Sequence, residues 1–123
     1  MAHDQAAGAR GEDLAHRFLQ RHGMVVVARN YRMSSGAGEL DLIAWDRETL
    51  VFVEVKSRET GEHGSPERAI GPEKHKSLLR AAREYARHAG VSWDRVRFDV
   101  VTVIFSAPPK IEHMRDALPA RGT

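Results

Sequence analysis

One stretch constrains the fold of this chain more than any other: Gly38 to Arg58, GELDLIAWDRETLVFVEVKSR. Leu40, Leu42 and Ala44 alternate with Glu39, Asp41, Ile43 and Trp45. After Asp46-Arg47-Glu48-Thr49 a second run alternates Val51, Val53 and Val55 with Leu50, Phe52, Glu54 and Lys56. Two period-two runs on either side of a short polar segment read as a β-hairpin. Each strand has one apolar face, and a second face that is apolar near the turn and charged at its far end. Folding the pair about the turn sets Trp45 opposite Leu50, Asp41 opposite Glu54 and Glu39 opposite Lys56. Opposed residues share a face, with Cβ atoms roughly 4.5–5.5 Å apart. Two ionised carboxylates there repel by about 3 kcal/mol at an effective dielectric of about 20. A sheet has no need of that arrangement, whereas a hard divalent cation explains it, because Mg²⁺ takes carboxylate oxygens and keeps several waters. The alternative is a solvated face on which a Glu39–Lys56 pair offsets the repulsion. Phe52 and Ile43 mark the face as partly buried and favour the metal.

Asp41, twelve intervening residues and Glu54-Val55-Lys56 resemble the PD-(D/E)xK core of restriction-endonuclease-like nucleases. The full stretch is similar to the GE-I-DLIA…LVFVEVK-T-R signature of the bacterial YraN-type family, itself similar to archaeal Holliday-junction resolvases. The similarity runs from the Gly11-Glu12 region to Asp116. The resemblance implies an α/β fold, a mixed β-sheet flanked by helices with an α-β-β-β-α-β core, and a Mg²⁺-dependent endonuclease for which Mn²⁺ can substitute. On this reading Asp41 and Glu54 hold the metal together with the Val55 carbonyl. Glu12, at the position of the first-helix glutamate of resolvase-like nucleases, completes the set. Lys74 matches a lysine of the family and is expected on a phosphate. The loop 33–38 carries fewer basic residues than related sequences, a departure from the pattern. Junction resolvases cut two symmetric strands as dimers, so a homodimer is expected, with Ile111–Leu118 as its candidate surface.

With 123 residues the chain is read as one domain, residues 1–118, followed by a frayed tail over 119–123. No apolar run approaches a membrane span, and the N-terminus lacks a signal-peptide core. The absence of cysteine excludes disulfides and thiolate zinc sites and fits a cytoplasmic protein. The net charge of +2 says little by itself. With Glu39, Asp41 and Glu54 directed at a metal, the remaining surface is more basic, as a nucleic-acid partner requires.

Residues from Asp4 to His22 read as a first helix, with Asp4 as N-cap and Gly23 as its stop. Leu14, Ala15, Phe18 and Leu19 form its apolar arc, and Glu12 sits at the rim. Gly8 and Gly11 each cost roughly 1 kcal/mol relative to alanine, which suggests a close backbone approach. A strand over Met24–Arg32 and a small-residue connector over Met33–Gly38 precede the hairpin. Glu59–Gly71 reads as a polar flap beside the chemistry, with a helical turn at Ser65-Pro66-Glu67 and a solvated His63. Pro72–Ala89 is a second helix that buries Leu78, Ala82, Tyr85 and Ala89. Its Lys76, Arg80, Arg83 and Arg87 lie on the opposite side, a nucleic-acid stripe or simply a solvated face. Lys74, on the inward side of the first turn, is the better phosphate contact. Arg32, Arg58 and Lys76 complete the candidate nucleic-acid residues. Arg95–Phe105 reads as a strand parallel to the Glu54 strand, by the handedness of a helical crossover. Its Asp99 reads as a structural carboxylate paired with Arg97 or capping a helix. Ile111–Met114 is a short edge strand.

In-line hydrolysis of a phosphodiester needs a metal, an activated water and cations against the developing charge. Lys56, one pleat from Glu54, is placed to orient or deprotonate that water. Glu39 is either a carboxylate for a second metal or the group that holds Lys56, and its opposed position favours the second role. The expected activity is therefore DNA cleavage, including branched or junction DNA. The rival is a non-catalytic nucleic-acid-binding module on the same fold. A protein–protein adaptor lacks the exposed apolar stripe it needs.

Overall fold

From Asp46–Thr49 to Leu42–Val53 the hairpin forms in the expected register, and the rest of the sheet is laid down beside it. The computed structural model describes residues 2–59 and 71–120, with side chains from Gly8 onward; the expected flap with Ser65-Pro66-Glu67 and His63 lies outside the described residues. In chain order the elements are α1 (Ala2–Arg21), β1 (Val25–Arg32), β2 (Glu39–Asp46), β3 (Thr49–Arg58), α2 (Pro72–Ala89), a 3₁₀ turn (Trp93–Arg95), β4 (Val96–Ile104) and β5 (Lys110–Leu118). The strands lie in the order β1-β2-β3-β4-β5. β3 and β4 are parallel and every other neighbouring pair is antiparallel, so the helical crossover through α2 has the predicted consequence. This is a mixed α/β sheet with two helices, consistent with a restriction-endonuclease-like fold.

Alternation along the strands gives the sheet two buried faces, and each helix covers one. On the α1 side, Ala15 and Leu19 pack with Leu42, Ala44, Val51, Val53, Val101 and Val103. On the α2 side, Leu78, Ala81, Ala82 and Ala86 pack with Ile43, Leu50, Phe52, Phe98 and Val100. Gly11 is buried, and a Cβ there would lie 2.1 Å from the Ser57 hydroxyl, whereas Gly8 faces open space. Of the two glycines, only Gly11 marks a close approach of α1 to the sheet.

Four expectations need correction. Asp4 lies inside α1, which begins at Ala2, and so is not its N-cap. In α2, Ala89 is exposed while Ala81, Glu84 and Ala86 are buried. β5 runs to Leu118 because the buried Asp99 carboxylate accepts the Asp116 N–H at 2.9 Å, which carries pairing past an irregularity between Phe98 and Val100. Pro119 and Ala120, the described part of the expected frayed tail, are fastened: their carbonyls accept hydrogen bonds from the His75 ring and the Trp93 indole, each 3.0 Å, while 121–123 lie outside the described residues.

Candidate active site

The site is built where β2 parts from β3. Their ladder runs from Asp46–Thr49 outward and ends at Leu42–Val53. The expected oppositions of Asp41 to Glu54 and of Glu39 to Lys56 are therefore not formed, for a reason that lies in β1 and β2 together. Leu42 and Ala44 belong to the α1-side core, but Leu40 belongs to the α2-side core. Their partners switch in step: Arg29, opposite Leu42, pairs with Asp13 of α1, while Tyr31, opposite Leu40, packs on the α2 side. Between them Asn30 takes a positive φ of 53°, which among non-glycine residues Asn adopts most readily. Both strands thus rotate by half a pleat at the level of Asn30 and Asp41. The Asp41 side chain lies in the plane of the sheet instead of on either face, and its Oδ2 accepts the Val55 N–H at 2.8 Å. A carboxylate replaces the missing ladder bond. Because a residue in an antiparallel strand turns its N–H and C=O toward the same neighbour, the Val55 carbonyl opens on this seam too.

Glu54 enters the seam from the α2 side. It is 5% exposed, and its Oε2 lies 3.7 Å from Lys56 Nζ and 3.5 Å from Lys74 Nζ. Both separations exceed a strong hydrogen bond, so the two ammonium groups act on Glu54 mainly through space. Glu54 Oε1 is buried with no hydrogen-bond partner. Burial, reinforced by the negative charge of Glu54 and by a hydrogen bond that the protonated Asp41 carboxyl makes to it, pushes Asp41 up to about 7; the Val55 N–H and Lys74 offset this only in part.

Glu12 approaches from the α1 side. Burial raises its pKa, Asn30 and Arg29 lower it by hydrogen bonding and charge, and Asp41 adds a raising charge. Its Oε1 lies 3.6 Å from Arg29. Glu12, Asp41 and Glu54 therefore form a line through the seam, from one face of the sheet to the other. Among the described residues no three acidic, imidazole or thiol groups gather closely enough to hold a metal by themselves. Two carboxylates with the Val55 carbonyl still suit Mg²⁺, which binds through one or two carboxylates and keeps its waters. The orphaned Glu54 Oε1 and the repulsion felt by Asp41 are what a cation would relieve.

The remaining candidates divide. Glu39 does not hold Lys56; its Oε1 lies 3.8 Å from Arg32, its cross-strand partner. Arg32 and Lys74 line one cleft beside the seam. Lys76 is exposed on α2 with Arg80, Arg83 and Arg87, and Arg83 stacks on Trp93 with its guanidinium carbon 4.5 Å from the ring centre. Arg58 ends β3, where its carbonyl accepts the Phe105 N–H. Arg29 and Asn30 were missed by sequence reasoning. The only signal was an Asn after a run of valines, where a strand can change its twist.

Asp99 has the structural role expected of it. It is fully buried and accepts hydrogen bonds from Arg97 Nε at 2.9 Å and His113 Nε2 at 2.8 Å, as well as from the Asp116 N–H. Arg97 also bonds Asp46 at 3.0 Å, near the hairpin turn and well removed from the seam.

Comparison with known proteins adds a family. The model described as "Uncharacterised protein family UPF0102" matches residues 11–103. A UPF0102 protein of Solibacter usitatus is 54% identical over 110 residues, covering 89% of this chain and 83% of the relative. One from Rhodococcus jostii is 49% identical over 119 residues, covering 95% and 99%. One from Geobacter sulfurreducens is 39% identical over 117 residues, covering 94% and 90%.

Proposed function

The chain belongs to the UPF0102 family, and we propose that it is a metal-dependent endonuclease of the PD-(D/E)xK type, related to the YraN-type proteins, that hydrolyses phosphodiester bonds in DNA. The observation that carries the reading is the seam itself. A buried carboxylate oxygen without a donor and a neighbouring carboxyl raised to about 7 sit between two lysines, at the point where the sheet opens. Asp41, Glu54 and the Val55 carbonyl are the groups that would hold Mg²⁺ or Mn²⁺. Such a cation, when bound, polarises a phosphate oxygen and lowers the pKa of water. Lys56 orients the attacking water and offsets charge on the phosphate, and Lys74 binds a phosphate oxygen across Glu54. Glu12, tied to Arg29, sets the electrostatics of Asp41 from behind instead of joining the ligands.

Branched or junction DNA is the substrate class we favour, cut by a homodimer when two symmetric strands are severed. No helix among the described residues is long and apolar enough to cross a membrane, and we place the protein in the cytoplasm with its DNA. The second reading is a non-catalytic nucleic-acid-binding module. It draws on one observation: Lys56 and Lys74 already crowd Glu54, and charge compensation of that kind can stand in for a metal.

Labelled duplex, flap and four-way-junction DNA incubated with Mg²⁺ or Mn²⁺ separates the two. The nuclease cuts only with metal, and Asp41→Ala or Lys56→Ala lowers the rate by roughly a hundredfold or more. Undiminished DNA binding by Asp41→Ala, with no cutting by the wild type in either metal, would install the binding module instead.

A further inference from the structure

The geometry points to the cleft between the Met33–Gly38 loop and the first turns of α2 as the seat of a second phosphodiester of the bound strand, next to the one being cut. It assigns Glu39 as the internal anion that this phosphate displaces. The inference rests on the nuclease reading of the neighbouring seam. The cleft has a volume of about 160 Å³, and its walls are Arg32, Glu39, Lys74, Ser77 and the glycine-rich backbone of residues 36–38.

Its walls are fixed before any ligand arrives. A Cβ on Gly38 would stand 2.5 Å from the Ser77 carbonyl, so the loop lies against α2 as only glycine allows. Ser77 Oγ donates to the Ala37 carbonyl at 3.0 Å. At the other end of the loop, the buried Glu84 of α2 accepts hydrogen bonds from the Tyr31 hydroxyl and from the Ser34 N–H and hydroxyl. A loop pinned at both ends pays little ordering entropy on binding.

The charges inside favour a phosphate. Arg32 stands against the carboxylate of Glu39, and Lys74, shared with Glu54, adds a second cation to the wall. The Arg32–Glu39 separation of 3.8 Å is too long for a hydrogen bond. The guanidinium fork is thus attracted by Glu39 without being used up, and it matches two oxygens of a phosphate in a way the carboxylate here does not. Lys74 joins the cleft to the chemistry, since it lines the one and stands 3.5 Å from Glu54 in the other. A strand that enters the seam therefore meets this cleft with a neighbouring phosphate. Glu39, on this account, takes no part in bond breaking; it tunes how tightly the strand is held.

The test is fluorescence anisotropy of a short labelled DNA duplex in EDTA, across a salt series, with the wild type, Arg32→Ala, Glu39→Gln and, as control, Lys110→Ala, an exposed lysine on β5. Arg32 and Glu39 have side chains 74% and 44% exposed, so their substitution spares the core, and unchanged melting curves verify it. Arg32→Ala is expected to weaken binding about fivefold and to lower the salt slope by about one. Glu39→Gln strengthens binding about two- to fivefold, and Lys110→Ala changes little. Wild-type affinity and salt slope in both Arg32→Ala and Glu39→Gln would overturn the cleft even if Asp41→Ala abolishes cutting. The expected pattern in a protein that cuts nothing would sink the nuclease reading while the phosphate cleft stands. Inorganic phosphate alone is the second arm: Arg32-dependent uptake of phosphate by a protein without DNA affinity would make this a small-anion site and overturn the assignment.

Discussion

Where β2 leaves β3, the Val55 N–H would face an empty ladder position, and Asp41 fills it with a side chain. That same carboxylate is held near Glu54, and the two demands pull against each other. The hydrogen bond favours the ionised form, while burial and Glu54 favour the protonated one and prevail, with a value of about 7. A carboxyl raised above its unfolded value gives its full stability below about pH 4 and loses it as pH rises through about 7. Without divalent ions, Asp41→Asn is therefore expected to be more stable than the wild type at alkaline pH. The gain is about 1–3 kcal/mol, discounted for partial exposure, and narrows toward zero near pH 4. Denaturant melts of both proteins in EDTA at several pH values check this, and a pH-independent difference would contradict it. Asp99 shows the opposite sign. Burial raises its pKa, but hydrogen bonds from His113, Arg97 and the Asp116 N–H outweigh it, so the net shift is downward. Its contribution is present above about pH 4 and lost as pH falls through its lowered value. Asp99→Asn should cost about 2–4 kcal/mol in urea melts at neutral pH, because Arg97 and His113 lose their shared acceptor.

Elements were legible wherever a single periodicity ran unbroken. The hairpin register, the α1 arc and the span of α2, closed by Gly90 at a φ of 70°, follow from alternation, helical spacing and end signals. Two features were not legible, because each depends on contacts between distant segments. The half-pleat rotation at Asn30 and Asp41 needs β1 and β2 to turn together, and period-two counting along one strand carries straight through it. β5 continues beyond Met114 because Asp99 in β4 captures the Asp116 N–H, which no local pattern announces. Misplacing Glu39 against Lys56 was the direct cost of the first omission. Glycine substitution probes the same scale. Gly38→Ala drives a Cβ into the Ser77 carbonyl and should destabilise by about 1–3 kcal/mol and loosen the loop from α2. Gly8→Ala meets nothing within 4 Å and should gain up to about 1 kcal/mol of helix propensity. Equal melting temperatures for the two variants would refute that reading of the loop.

Across the whole molecule, the site is a consequence of layering. α1 covers one face of the sheet and brings Glu12; α2 covers the other and brings Lys74; the parted strands between them supply Asp41, Glu54 and Lys56. The residues that the fold gathers at the candidate site were readable in the sequence because they stand in one short hairpin and at two helix positions. Their partners were not, since only the folded sheet shows that Glu12 leans on Arg29 and that Glu39 leans on Arg32. The central claim is that the seam takes a divalent cation in place of a proton. Calorimetric titration of Mn²⁺ at about pH 6.5, in two buffers with different protonation heats, addresses it most directly. The wild type should bind Mn²⁺ and release up to about one proton, with both effects lost in Asp41→Asn and Glu54→Gln. Mn²⁺ uptake that is unchanged in those variants, or no uptake by the wild type, would contradict the account.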